Sequence, residues 1–317
     1  MNLDNIEELK EKFADFKQMF STDRIDEATA LIEELLESIE RQSDVRKAGM
    51  IDNRGHIDIS QKDIQSYVQK SETVHLEDAK VNVEHDNSIY ISLNHVMEYY
   101  VYAYYYKPDV QVCCTQLPIG EYYRTYGDLS VKLGRYKAGI AAYQDAICWN
   151  PVDLDAILGL AECYKHLNMM ERYLIATKEA YKLCCTRATM ARYYRNMGYY
   201  HISKYNTQTA RCCYIYSNIY YNTENADREL EYLKSALGDD TPQWSIKEMQ
   251  KMLEQSDIEP GPNPDTIGVI YRVGELMMND HEYSLARDCF SICYDITQEE
   301  LLARMLKQLD ELLGNGD

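Results

Sequence analysis

Apolar side chains recur three and four residues apart along most of this chain, a spacing that predicts a succession of short amphipathic helices. At the N-terminus, Asn5 to Phe20 and Asp23 to Arg41 set Leu9, Phe13, Phe16 and Phe20 against Ala28, Ile32, Leu35 and Ile39. That pattern predicts a helical hairpin over residues 1–42, with Thr22 and Asp23 supplying the cap between its arms. From Ser43 to Asn87 the periodicity stops, and Gly49, Asn53 and Gly55 sit among Asp, Gln and Lys. A polar loop or linker is expected over 43–88, with a short β-hairpin near Thr73 to Leu76 and Val81 to Val83, where apolar and polar residues alternate. A run from Ile89 to Tyr106 then carries one charge, Glu98, and ends in six tyrosines. It predicts a helix buried among other helices. Asn94, His95 and Glu98 make it too polar, and its length too short, to span a membrane.

Beyond it the helical spacing organises into a longer period of about 34 residues. Tyr123, Tyr126, Gly127, Gly134, Tyr136, Gly139, Tyr143, Ala146 and Pro151 follow the order large, large, small, turn, aromatic, small, aromatic, small, proline. Gly127, Gly139 and Ala146 let two antiparallel helices approach, while Tyr126, Tyr136 and Tyr143 fill the seam. Gly134 falls where a left-handed residue ends the first helix, and Pro151 where the second stops. A second copy over 154–187 has Ile157, Leu160, Ala161, Tyr164 and Ala180 in place, with Tyr173 and Thr177 departing from the pattern. A third, over 191–224, carries Tyr194, Met197, Gly198, His201, Ala210, Tyr214 and Ser217. A fourth, over 267–300, carries Ile270, Val273, Gly274, Met277, Tyr283, Ala286, Phe290 and Cys293. The gap between the last two holds a degenerate hairpin near 225–256, with Leu230, Leu233 and Leu237 on one helix and Met249, Met252 and Leu253 on the other. Gly238, Asp239, Asp240 and Pro242 punctuate its turn, and Pro260, Gly261, Pro262 and Pro264 form a stiff break after it. Leu301 to Leu313 reads as a terminal amphipathic helix, the cap that covers the last apolar face of such an array.

This residue order resembles the tetratricopeptide repeat (TPR), and the resemblance covers four copies within residues 120–300. It implies an all-α fold over 89–317, a right-handed superhelical solenoid of antiparallel helix pairs. It also implies a protein- or peptide-binding scaffold, without naming the partner, since the family binds many unrelated ligands. In that fold the first helix of each pair lines the concave surface. Its inward positions hold Arg124, Asp128 and Lys132 in the first copy; Leu158, Glu162 and Lys165 in the second; and Arg192, Arg195, Asn196, Tyr199 and Ile202 in the third. The two-carboxylate clamp by which some members hold chaperone tails is not supported. Arg124 and Arg192 match it, but Asp128 and Gly159 stand where it needs Asn, and Asn196 where it needs Arg.

Charge sharpens the expectation. The net charge is −19, which disfavours nucleic acid as a ligand, yet residues 107–224 carry +4 between segments of −11 and −12. A groove of Arg and Lys beside Tyr and Asn suits an acidic segment or a chain-terminal carboxylate, which Arg binds bidentately. The acidic ends of the chain itself are an internal alternative, and pairing of these cations with local carboxylates is the plain structural one. Ten cysteines lie mostly as adjacent pairs without a zinc-knuckle partner, so they read as reduced structural thiols, with Cys293 a compact core residue. The 29 tyrosines against 4 phenylalanines suit residues half in a core and half on a groove wall.

No Gly-rich phosphate loop, His-Glu-x-x-His or Gly-x-Ser-x-Gly motif occurs. The seven histidines are scattered, with His201 on a packing position of the third copy. The chain opens on charged residues rather than a signal segment. The expectation is therefore a cytoplasmic interaction module, neither an enzyme nor dependent on a metal or cofactor. A peptide-sensing regulator that changes conformation on binding a short signalling peptide is the second expectation.

Overall fold

The computed structural model describes residues 5–42, 88–237 and 243–314. The expected loop over 43–88, its β-hairpin and the turn at Gly238 to Pro242 lie almost wholly outside the described residues. Fourteen helices form among those described. The chain divides into two compact units, Met1–Arg172 and Tyr173–Asp317.

The first unit holds α1 (Ile6–Ser21), α2 (Ile25–Gln42), α3 (Val96–Tyr106), α4 (Ile119–Lys132), α5 (Tyr136–Trp149) and α6 (Leu154–His166). Helix α7 (Met170–Tyr181) begins where it ends. The second unit holds α8 (Arg187–Ser203), α9 (Thr207–Tyr220), α10 (Glu224–Leu237), α11 (Ile246–Gln255), α12 (Pro264–Asn279), α13 (Tyr283–Thr297) and α14 (Glu300–Leu312). Neighbours in sequence pack as antiparallel pairs, α1 with α2, α4 with α5, α8 with α9, and α12 with α13. The fold is all-α and TPR-like, and α14 closes the last pair by burying Leu302 and Leu309.

One turn chemistry recurs at the helix ends. After α1, α4, α6, α8, α11 and α12 a single residue takes the left-handed conformation: Asp23, Gly134, Asn168, Tyr205, Asp257 and His281, with φ between 55° and 67°. The next amide then donates five residues back, as Arg135 does to the Ser130 carbonyl at 2.8 Å and Glu282 to Met277 at 2.8 Å. This is the Schellman closure. Only Gly134 adopts it without a Cβ penalty, so the sequence shows the turn plainly once while the backbone makes it six times. Thr22 belongs to the first of these turns. Its hydroxyl donates to the Gln18 carbonyl at 2.9 Å, so it caps the end of α1 rather than the start of α2.

A second recurrence is the seam inside the pairs. A Cβ built on Gly127 would lie 2.7 Å from the ring of Tyr143, on Gly198 2.8 Å from Tyr214, and on Gly274 2.7 Å from Phe290. In each pair the glycine precedes the aromatic by sixteen residues, so close helix approach and a filled seam come from one repeated contact. Tyr143 also lies over Gly159, where a Cβ would come within 2.3 Å of the ring. Gly159 is thus a packing glycine, which explains its place where a clamp would need Asn. Of the other tyrosines expected in the first seam, Tyr136 instead stacks on His166 with centroids 4.3 Å apart, and Tyr126 turns to α2, donating to Glu33 at 2.8 Å.

Three expectations change. The stretch from Ile89 is not one helix: β1 (Ile89–Ile91) pairs in parallel with β2 (Val112–Cys114), Ile89 opposite Val112, and the helix starts only at Val96. Within α3 only Val101 and Tyr102 are buried, so its other tyrosines form a half-covered aromatic surface. The hairpin expected near 225–256 appears as two helices that each pack mainly on α9. Ala226 and Leu233 of α10 meet Ala210 and Tyr214, while Gln250 of α11 donates to the Tyr216 hydroxyl at 3.3 Å. Tyrosine tips also hold the Pro-rich break. Tyr194 donates to the Glu259 carbonyl at 2.9 Å and Tyr216 to the Pro260 carbonyl at 2.6 Å, satisfying backbone that no helix serves.

The N-terminal hairpin is part of the first unit and docks on α4. Phe13 and Tyr122 meet with ring centroids 3.9 Å apart, and Lys17 pairs with Glu121 at 2.6 Å. A buried polar joint holds the β1–α3 segment to the end of α5. Glu98 accepts from the Asn94 amide at 2.7 Å and from the Asn150 side chain at 2.8 Å, and Ser92 donates its amide to the Trp149 carbonyl at 2.8 Å.

Candidate functional site

The eight residues expected to face a ligand fall into the two units, and local pairing treats the two sets differently. In the first unit the cations are already matched. Arg124 lies 3.0 Å from Asp155 and 3.6 Å from Asp153, the latter a buried N-cap whose side chain also accepts from the Ala156 amide. Lys132 reaches Asp23 at 2.7 Å, and Lys165 reaches Glu162 at 3.0 Å. Asp128 accepts the Tyr143 hydroxyl at 2.6 Å, so it orients the seam aromatic. Leu158, another expected inward position, is fully buried and lines no open face. Lys132 and Asp23 lie 109 residues apart and Arg124 and Asp155 31 apart, so spacing alone did not reveal those two pairs, whereas Lys165 and Glu162 are helical neighbours.

In the second unit Arg192, Arg195, Asn196 and Tyr199 stand on α8 at i, i+3, i+4 and i+7, one stripe of the helix, and all are half-buried. The Tyr173 hydroxyl donates to the Asn196 carbonyl at 3.0 Å, and the Tyr173 ring meets Tyr199 edge-on at 5.8 Å, which fixes this part of the stripe. The two arginines lack such partners. Arg195 Nη1 is buried without a hydrogen bond, and no carboxylate pairs with Arg192 or Arg195 among the described residues. Burial, and then the charge of Arg192, hold the Arg195 guanidinium below its ordinary pKa. A desolvated donor beside a like charge favours an incoming anion.

Other chemistry is sparse. All ten cysteines are free thiols and seven are buried. Burial pushes Cys163 and Cys293 up to about 12, so both are poor nucleophiles. Among the described residues no group of three or more His, Cys, Asp or Glu is placed to hold a metal ion. His201 is a core histidine whose Nδ1 meets the Asn206 side chain at 3.3 Å. No described helix is long and apolar enough to cross a membrane.

Paired helices, recurrent Schellman turns and the glycine–aromatic seam define the class as an all-α, TPR-like helical-repeat protein. No family model matches the chain, and no curated protein matches it. A similar solved structure is that of PilW, a widely conserved type IV pilus biogenesis factor, at 13% identity over 63% of this chain and 88% of that one. Its TM-score of 0.34 is too low to carry an argument about this chain.

Proposed function

We propose that this chain is a protein- or peptide-binding scaffold, and that the α8 stripe of Arg192, Arg195, Asn196 and Tyr199 takes an acidic segment or a chain-terminal carboxylate of the partner. The supporting observation is the buried, unbonded Nη1 of Arg195 next to the unpaired Arg192. A carboxylate seated beside the two guanidinium groups relieves their mutual repulsion and offsets the desolvation of Arg195. Arg124, Lys132 and Lys165 contribute less, because their charges are already spent on local carboxylates. Asn196 and Tyr199 add polar and aromatic contact beside the arginines. A cytoplasmic setting goes with this reading, since ten cysteines outside any disulfide suit a reducing compartment.

The test compares wild-type chain with Arg192→Glu/Arg195→Glu as bait in affinity purification from the native cell, with quantitative mass spectrometry. It is paired with fluorescence anisotropy of a labelled octapeptide ending in three acidic residues and a free carboxylate. The expected result is loss of a discrete set of partners and at least about tenfold weaker peptide binding, equivalent to about 1.4 kcal/mol. Unchanged partners at unchanged affinity would remove the basic stripe from the function.

A further inference from the structure

The α8 stripe offers more hydrogen-bond donors, and more charge, than a carboxylate uses. Arg192 and Arg195 stand at i and i+3, which sets their Cβ atoms about 5–6 Å apart on one face of the helix. Neither forms an ion pair or a side-chain hydrogen bond among the described residues. Nη1 is the one nitrogen of the Arg195 guanidinium that is both shielded and unbonded, so Nε and Nη2 remain open to a ligand, and no nitrogen of Arg192 is shielded in this way. Asn196 follows Arg192 at i+4. Its backbone carbonyl accepts the Tyr173 hydroxyl, while its side-chain amide has no partner among the described residues.

Three donor groups therefore share one face with no carboxylate between them. Tyr214 beside Arg195 and Cys184 beside Arg192 add no negative charge, since burial raises the pKa of each and keeps it neutral. A carboxylate carries one charge on two oxygens. It takes one guanidinium fork and leaves the second arginine without a counter-charge. A phosphorylated side chain carries about −1.5 to −2 on three terminal oxygens, enough to meet two guanidinium groups and an amide at once.

We infer that the α8 stripe holds a phosphoserine or phosphothreonine of the partner segment, its phosphoryl oxygens accepting from Arg192, Arg195 and Asn196. The assignment rests on that stripe being the partner site, and it narrows the ligand from acidic groups at large to a phosphomonoester dianion. Binding is thereby conditional on modification of the partner. A polyanionic source of phosphate is disfavoured, because a net charge of −19 repels an extended nucleic acid or an anionic membrane more than a short segment with one modified residue.

Fluorescence anisotropy on the full chain tests this with three nonapeptide pools, labelled at the N-terminus and amidated at the C-terminus so that no free carboxylate competes. Their flanks are degenerate in uncharged residues, and the central residue is phosphoserine, Asp or Ser. Inorganic phosphate serves as competitor. The wild type is compared with Arg192→Gln and with Arg192→Glu/Arg195→Glu, and circular dichroism checks that each variant keeps its helix content. The phosphoserine pool is expected to bind the wild type at least about tenfold more tightly than the Asp pool. Arg192→Gln is expected to cut that preference to about threefold or less, because the guanidinium that remains serves either anion. Equal affinity of the Asp and phosphoserine pools overturns the phosphate assignment and leaves a carboxylate-binding stripe. No binding of the phosphoserine pool also overturns it. Binding unchanged in Arg192→Glu/Arg195→Glu removes the stripe itself from the partner site. Displacement by inorganic phosphate at the pool's own dissociation constant reduces the stripe to a free-anion site.

Discussion

Helix α12 contains a matched pair of positions at which one substitution should have opposite effects. Gly268 and Gly274 lie six residues apart, and replacing either by Ala raises helix propensity by about 0.8–1.0 kcal/mol. A Cβ on Gly268 meets nothing within 4 Å, so Gly268→Ala is expected to keep that gain. A Cβ on Gly274 would sit 2.7 Å from Cε1 and 3.0 Å from Cδ1 and Cζ of Phe290. Relaxed carbon contacts need about 3.5–4.0 Å, so the ring must retreat by about 1 Å. Phe290 is fully buried and meets Tyr271 edge-on at 5.6 Å, which leaves it little room to do so. Overpacking of this kind costs about 1–3 kcal/mol. Gly274→Ala is therefore expected to fall below Gly268→Ala by that amount, which cancels or exceeds the propensity gain. Urea denaturation followed by circular dichroism, with hydrogen exchange of the α12 and α13 amides, measures both variants. Adding Phe290→Leu should recover part of the loss, giving a coupling energy of about 1 kcal/mol in a double-mutant cycle. If both glycine variants stabilise α12 equally, or the cycle shows no coupling, the glycine–aromatic seam does not set the approach of the paired helices.

Two further outcomes follow from the same geometry. Tyr205, highly exposed with φ of 60°, pays the left-handed penalty of about 1–2 kcal/mol that Gly134 avoids. After the larger chain entropy of glycine, about 0.5–1 kcal/mol, Tyr205→Gly should raise stability by about 0.5–1 kcal/mol, and a lowered urea midpoint would contradict the turn assignment. Burial raises the Glu98 pKa, partly offset by the hydrogen bonds from Asn94 and Asn150 and reinforced by Asp153. A carboxyl raised in the folded state binds its proton more tightly there than in the unfolded chain. Its contribution is greatest below the unfolded pKa of about 4.3 and declines as pH rises through the folded value. Measured between pH 4 and 8, the wild type should lose stability relative to Glu98→Gln as pH rises, and a relative gain would refute the assignment.

Much of the architecture was legible in local spacing. The amphipathic period marked α1, α2 and α4 to α6, Gly134 marked a left-handed helix end, and the recurring Gly and aromatic positions marked the pairs, because these signals act within one or two turns of helix. The same logic failed at Tyr205 and His281, where a residue poor at the left-handed conformation adopts it because the packed helices on either side impose it. It failed again at Ile89–Ile91, whose apolar run suits strand or helix until a partner strand twenty-three residues later supplies its hydrogen bonds. Charge was the least legible property. The sequence by itself determined most of the helical segments, one of the recurrent helix ends, and that the middle of the chain is basic. Only the tertiary structure decided which cations stay unspent. It brings Asp23 to Lys132 and Asp155 to Arg124, and leaves Arg192 and Arg195 unmatched. Those outcomes depend on distances between residues far apart in the chain, and Coulomb and desolvation energies follow that distance rather than sequence spacing.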